Sequence, residues 1–146
     1  MKISAKTFDK LTTKELYGIL QLRSEVFVVE QNCVYQDVDN KDYKAIHLIG
    51  QKANQVVAYT RVFKPGDYFE KTAIGRVVVK ASERKYGYGK IIMQATLDYI
   101  EQDLKETQIE LSAQTYLIKF YNSLGFLEEG IEYLEDDIPH IKMVKT

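Results

Sequence analysis

Val77-Val78-Val79-Lys80-Ala81-Ser82-Glu83-Arg84-Lys85-Tyr86-Gly87-Tyr88-Gly89-Lys90 is the stretch on which the reading of this chain turns. Three consecutive valines, inside a run from Ile74 to Lys80, mark a strand buried on both faces. The polar, basic segment after them reads as a loop, in which Gly87 and Gly89 allow a close approach to a ligand or a positive φ. Met93, Leu97, Ile100 and Leu104, at spacings of 4, 3 and 4, then lay down the apolar stripe of a helix. The start of that helix directs unpaired N–H groups and the positive end of its dipole at the loop, which suits a phosphate. Arg84, Lys85 and Lys90 add charge at the same place. A tight turn would account for two glycines alone. Strand, basic loop, glycines and helix start together point to a phosphate or pyrophosphate site.

Two common phosphate loops fail on specifics. A Walker loop needs Ser or Thr after Gly-Lys to hold Mg²⁺, and Ile91 follows Gly89-Lys90. A dinucleotide fingerprint needs a small residue where Ile92 stands, and it belongs near the start of a βαβ unit rather than past mid-chain.

Outward from this stretch, the remaining elements follow from periodicity. Residues 2–7 alternate and suggest a first strand. Thr12 and Glu15 have capping-box spacing ahead of Leu16, Ile19, Leu20, Val26 and Phe27, which predicts a helix over about 13–28. Residues 32–43 are polar and acidic and read as a loop. Ile46–Gly50 and Val56–Phe63 form a hairpin turning at Lys52–Asn54, and Pro65-Gly66-Asp67 marks another turn. Ile109–Ala113 is a short strand, and Leu117, Phe120, Tyr121 and Leu124 fall on one helical stripe stopped by Gly125. Phe126–Glu129 and Ile138–Val144 complete the strands. The fold class is α/β (α+β): one domain over residues 1–146, with a mixed sheet of six to seven strands and three to four helices.

Composition limits the function. At 146 residues the chain suffices for one domain. Twenty Lys+Arg against 21 Asp+Glu leave a net charge of -1, which argues against a nucleic-acid binder. One cysteine, Cys33, excludes an internal disulfide, and with two histidines it argues against a zinc site. No apolar run approaches the ~18 residues of a membrane span, and Met1-Lys2-Ile3-Ser4 begins no signal peptide. The expected compartment is the reducing cytosol. Asp37-Val38-Asp39-Asn40-Lys41-Asp42 hints at a calcium loop but fails, because Lys41 takes a ligand position and Leu48 stands where the bidentate Glu should be.

Arg84-x-x-Gly87-x-Gly89 after a Val-rich strand resembles the acetyl-coenzyme A pyrophosphate loop of the GNAT N-acetyltransferase superfamily. Phe120-Tyr121-Asn122-Ser123-Leu124-Gly125-Phe126 is similar to its second signature, a tyrosine four residues before Gly-Phe. Leu22-Arg23-x-x-Val26-Phe27-Val28-Val29-Glu30-Gln31 with Cys33, and Ile138-Pro139-His140-Ile141, are similar to the ElaA-like branch. The resemblance covers nearly the whole chain. It implies a splayed sheet in the GNAT fold and acetyl transfer from acetyl-CoA to a primary amine by direct attack, with no metal. A non-catalytic acyl-CoA sensor or scaffold is the alternative. The acceptor is open, and a homodimer is common among similar proteins.

The resemblance also assigns roles. Val77, Val78 and Val79 would pair with the pantetheine arm and offer a backbone N–H to the thioester oxygen. Arg84, Lys85, Tyr86, Gly87, Tyr88, Gly89 and Lys90 would hold the pyrophosphate. Gln114, where many members carry Asn, and Asn122 would complete the cofactor contacts. Tyr121 would protonate the leaving thiolate; periodicity alone would put it in the core. Glu30 would attract the acceptor ammonium and His140 relay its proton, against plain readings as a solvated carboxylate and a hydrogen-bonded strand residue. Arg23, on the inward face of the first helix, either forms an ion pair or holds a substrate carboxylate. His47 reads as structural, and Cys33 has no histidine neighbour in sequence to make it a nucleophile.

Overall fold

Thr12 and Glu15 close a capping box: Thr12 Oγ1 accepts from the Glu15 N–H at 3.0 Å, and Glu15 Oε1 accepts from the Thr12 N–H at 2.9 Å. The computed structural model, which describes residues 1–146, continues this helix, α1, over Thr13–Arg23 and adds a π turn over Ser24–Glu30. The extension matches the apolar spacing that carries on to Phe27.

Seven strands form one mixed sheet: β1 (Lys2–Thr7), β2 (Ile46–Lys52), β3 (Gln55–Phe63), β4 (Thr72–Val79), β5 (Ile109–Gln114), β6 (Leu127–Glu135) and β7 (Ile138–Lys145). Their order across the sheet is β1-β2-β3-β4-β5-β7-β6. All neighbours are antiparallel except β4 and β5, which are joined through helix α2 (Tyr88–Tyr99) and so run parallel. Helix α3 (Ile118–Asn122) is shorter than its stripe predicts, because Thr115–Leu117 forms a 3₁₀ turn, and Gly125 at φ +96 ends the segment.

Each face of the sheet carries its own core. Ile19, Leu22 and Val26 pack against Ile49, Val56, Tyr59 and Val78 on one face. Ile92, Met93, Leu97 and Ile100 cover Leu48, Val62, Ile74 and Leu111 on the other, joined by Tyr121, Leu124 and Phe126. Burying each such side chain stabilises the fold by roughly 1.5–3 kcal/mol. β6 runs well past the expected Glu129, with a register shift between Glu129 and Tyr133 and Gly130 at φ +84. Every residue of it is exposed, so it presents no buried face to the core. No helix is long and apolar enough to cross a membrane.

Candidate active site

The site begins where the sheet comes apart. β4 and β5 pair only at Thr72–Ile109 and Ala73–Glu110. Beyond that point β4 bulges: Tyr59 lies opposite Val78 and Arg61 opposite Gly75, so three steps on β4 match two on β3. Arg76 carries the bulge at φ +50. Val77–Val79 then border a cleft of about 490 Å³ whose other wall is Gln114, Leu117 and Tyr121. The extra residue also changes which side chains face which core. Val77 and Val79 join Ile74 toward α2, while Val78 packs with Tyr59 toward α1.

The glycine loop closes one end of the cleft. Gly87, at φ +73, precedes α2, and no side chain caps that helix start. A Cβ placed on Gly89 would come 3.7 Å from Phe120 Cζ and 3.8 Å from Val79 Cγ2. Bare backbone therefore faces the cleft beside Lys90, with the orphan N–H groups of a helix start. Arg84 also lines the cleft and donates from Nε to the Val79 carbonyl at 3.2 Å. Its guanidinium forms a two-point pair with Glu30, at 2.5 and 2.9 Å.

A second cavity of about 110 Å³ shares Tyr121 with the cleft and is lined by Ile74, Arg76, Ser112, Glu135, Asp136 and His140 among others. Phe27, Gln31, Val77, Gln114, Leu117 and Tyr121 border both spaces. The Gln31 and Gln114 amides bond each other at 3.3 and 3.4 Å and tie the end of β5 to the π turn. Tyr121 is 5% exposed, with its ring edge-on to Phe120 and Phe126. Burial, and to a lesser degree Tyr116, push its phenol well above the ordinary range, so it keeps its proton at neutral pH. His140 Nδ1 sits 2.6 Å from the Ile138 carbonyl. A carbonyl only accepts, so Nδ1 carries the hydrogen and Nε2 is left toward Glu135 at 3.4 Å. Tyr121, Gln114 and Val77 are thus brought together, whereas Glu30 borders the large cleft and His140 the small cavity.

Several expected site residues stand elsewhere. Arg23 is fully buried and held by Asp37 and Asp42 at 2.8 and 2.7 Å; it borders neither space, so the ion-pair reading replaces the substrate-carboxylate one. Asn122 donates to the Phe126 carbonyl at 2.8 Å and to Glu128 at 2.9 Å, which commits its amide to the turn after α3. Lys85, Tyr86 and Tyr88 do not line the cleft. Instead Lys52 lies 4.3 Å from the centre of the Tyr86 ring and 5.9 Å from that of Tyr88, with Lys85 5.3 Å from Tyr86. Cys33 borders the small cavity, its thiol 3.3 Å from the Asp136 carbonyl. Partial burial and the Asp136 and Asp137 carboxylates raise its pKa, which disfavours a nucleophilic thiolate. His47 is structural: buried, and bonded to Tyr59 Oη at 2.6 Å and to the Asp42 carbonyl at 3.0 Å. The acidic segment 32–43 is pinned rather than free, with Asp37 and Asp42 buried against arginines. Arg76 and Gln31 border the site without being singled out by periodicity, whereas Phe27, which lies on the helical stripe, borders both spaces. Gly75 interrupting a Val-rich strand is the one local sign of the bulge.

The Acetyltransferase (GNAT) domain family matches residues 9–146. The chain belongs to the GNAT acetyltransferase family. Protein ElaA of Escherichia coli strain K12 is 41% identical over 139 residues, covering 94% of this chain and 91% of that protein. A UPF0039 protein of Schizosaccharomyces pombe is 44% identical over 140 residues, covering 94% and 92%. Among solved structures, an acyl-CoA N-acyltransferase from Pseudomonas aeruginosa superposes with a TM-score of 0.94 at 41% identity, over 100% of both chains. In this GNAT domain the break between β4 and β5, the glycine loop and Tyr121 therefore sit within a fold shared along its full length.

Proposed function

We propose that this GNAT domain transfers an acetyl group from acetyl-CoA to a primary amine by direct attack on the thioester. The observation that carries the reading is Tyr121, a buried and protonated phenol at the junction between the Gly87–Gly89 cleft and the smaller cavity. The cleft suits coenzyme A on three counts. Gly87 and Gly89 leave bare backbone at a helix start, Arg84 and Lys90 bring positive charge to a pyrophosphate, and β4 beyond Ala73 has no partner on its β5 side, which leaves an edge for the pantetheine amides. Acetyl-CoA supplies an activated acyl carbon.

The chain's own residues do the rest. The β4 backbone near Val77–Val79 donates an N–H to the carbonyl oxygen as negative charge gathers there. As the carbon–nitrogen bond forms and the carbon–sulfur bond breaks, Tyr121 gives its proton to the departing thiolate, and the proton that the new amide nitrogen sheds restores the phenol. An alkyl ammonium has a pKa near 10 and must lose a proton before its nitrogen can attack. His140 Nε2, on the small-cavity side, accepts that proton, and Glu30 draws in the cation. Screening amines for release of the CoA thiol tests the reading: release requires an amine, and Tyr121→Phe suppresses it. Stabilisation by CoA with no release from any amine would turn the protein into an acyl-CoA binder.

A further inference from the structure

Three arginines from three elements converge on the segment Asp37–Asp42. Arg23, at the end of α1, donates to Asp37 Oδ2 at 2.8 Å and to Asp42 Oδ1 at 2.7 Å. Arg61, on β3, makes a two-point pair with Asp39, both contacts at 2.9 Å, and reaches Asp42 at 3.0 Å. Arg76, in the β4 bulge, donates from Nε to Asp37 Oδ1 at 2.7 Å and from Nη2 to the Asp37 carbonyl at 2.9 Å. Arg23, Arg61, Asp37 and Asp42 are all buried.

Fastening a loop does not account for this arrangement. Buried ion pairs can often be replaced by apolar residues with no loss of stability, since desolvation offsets their attraction. A two-point grip on a guanidinium supplies direction, which an apolar contact does not. The gripped residue is the one at φ +50, a backbone state that a non-glycine residue keeps only when its surroundings hold it there. The bulge at Arg76 sets the orientation of the strand that follows, Val77–Val79, along the cleft.

We propose that Asp37 is a positioning residue for acyl transfer. By gripping Arg76 at two points it sets the bulge, and the bulge aims the Val77–Val79 N–H groups at the acyl oxygen. Asp37 itself borders neither the cleft nor the cavity. The inference rests on the acetyl-CoA reading above.

Titration calorimetry with two acetyl-CoA analogues tests it without knowledge of the acceptor. One is the ketone in which a methylene replaces the thioester sulfur; the other is S-ethyl-CoA, of equal length but without the carbonyl oxygen. Wild-type protein binds the ketone about fivefold more tightly than S-ethyl-CoA, the worth of one well-aligned hydrogen bond. In Asp37→Asn and Arg76→Ala the preference falls to about one, while S-ethyl-CoA binding stays within about twofold of wild type. Arg76→Ala leaves Asp37 paired with Arg23, so it carries the test if Asp37→Asn does not fold. Arg76→Lys restores part of the preference. A wild-type preference retained in Arg76→Ala overturns the proposal, as does a wild-type protein with no preference. A wild-type protein that binds neither analogue overturns the acetyl-CoA reading itself.

Discussion

Glu30 and Arg84, 54 residues apart in sequence, meet across the edge of the cleft in a two-point ion pair, Oε2 to Nη1 at 2.5 Å and Oε1 to Nη2 at 2.9 Å. The contact places a carboxylate on the guanidinium proposed to hold the pyrophosphate. Both side chains are partly exposed, 38% and 45%, so the pair is easily exchanged for another anion. While it lasts, Glu30 has little charge to offer an acceptor ammonium. An anion that takes Arg84 frees it.

Glu30→Gln is therefore expected to strengthen binding of CoA, by about two- to fivefold, because a competing carboxylate is gone. Arg84→Ala weakens it by about tenfold, in line with a lost charge-assisted bond. Calorimetric titration decides. Weaker binding by Glu30→Gln would mean that Glu30 orients Arg84 for the ligand rather than competing with it.

The two glycines are expected to respond differently. Gly89 has a helical position with ordinary contact distances around an added Cβ, so Gly89→Val folds and blocks the cradle. CoA affinity falls at least about tenfold. Gly87 sits at φ +73, where a β-branched side chain is strained, so Gly87→Val lowers the melting temperature as well. Melting curves and titrations on both variants separate these outcomes. Wild-type affinity in Gly89→Val would remove the pyrophosphate from this loop.

Tyr121→Phe keeps the ring packed against Phe120 and Phe126 and deletes one hydroxyl. A lost general acid lowers kcat by about 10²–10⁴-fold with acetyl-CoA affinity little changed. Because burial raises the phenol, no alkaline loss of activity from this group is expected below about pH 10. A variant with wild-type turnover, where chemistry limits the rate, would return Tyr121 to the core.

Acid is expected to loosen the arginine–aspartate cluster. Burial tends to raise the Asp39 carboxyl, but the Arg61 guanidinium bonded to it prevails and holds it at about 2. Asp42 is likewise lowered, Arg23 and Arg61 outweighing its burial. A carboxyl ordinarily titrates near 4, so this stabilisation is complete above about pH 4 and is lost as the pH falls toward 2. Burial lowers the pKa of His47, so the unfolded chain takes up that proton first, and stability also declines as the pH drops below about 6.5. Denaturant midpoints from pH 8 to 2.5 should trace both steps, and Asp39→Asn should flatten the lower one. Midpoints that stay level from pH 7 to 3 would contradict the ionised cluster.

Much of this was legible along the chain. The capping box at Thr12 and Glu15, the strand of valines, and the stripe from Met93 to Leu104 each depend on neighbours within a turn or a pleat, so spacing alone reveals them. The glycine loop could be read for the same reason. It is made by consecutive backbone, and its residues stay adjacent in sequence and in space.

What depended on partners far along the chain was decided only by the tertiary structure. Whether Arg23 faced a substrate or an ion pair turned on Asp37 and Asp42, which reach it across a loop without periodicity. Glu30 is a solvated carboxylate in sequence and the partner of Arg84 in the fold. Tyr86 and Tyr88 belong to the glycine loop by position but turn to Lys52 on the β2–β3 hairpin, and Lys85 lies over Tyr86. The sequence itself determined the elements and the glycine loop, because hydrogen bonding and burial within one element act at fixed spacing. The packed fold decided the bulge at Arg76, the break between β4 and β5 and the placing of Tyr121 between two cavities, because a charge or an unpaired strand edge is satisfied by whichever partner folding brings to it.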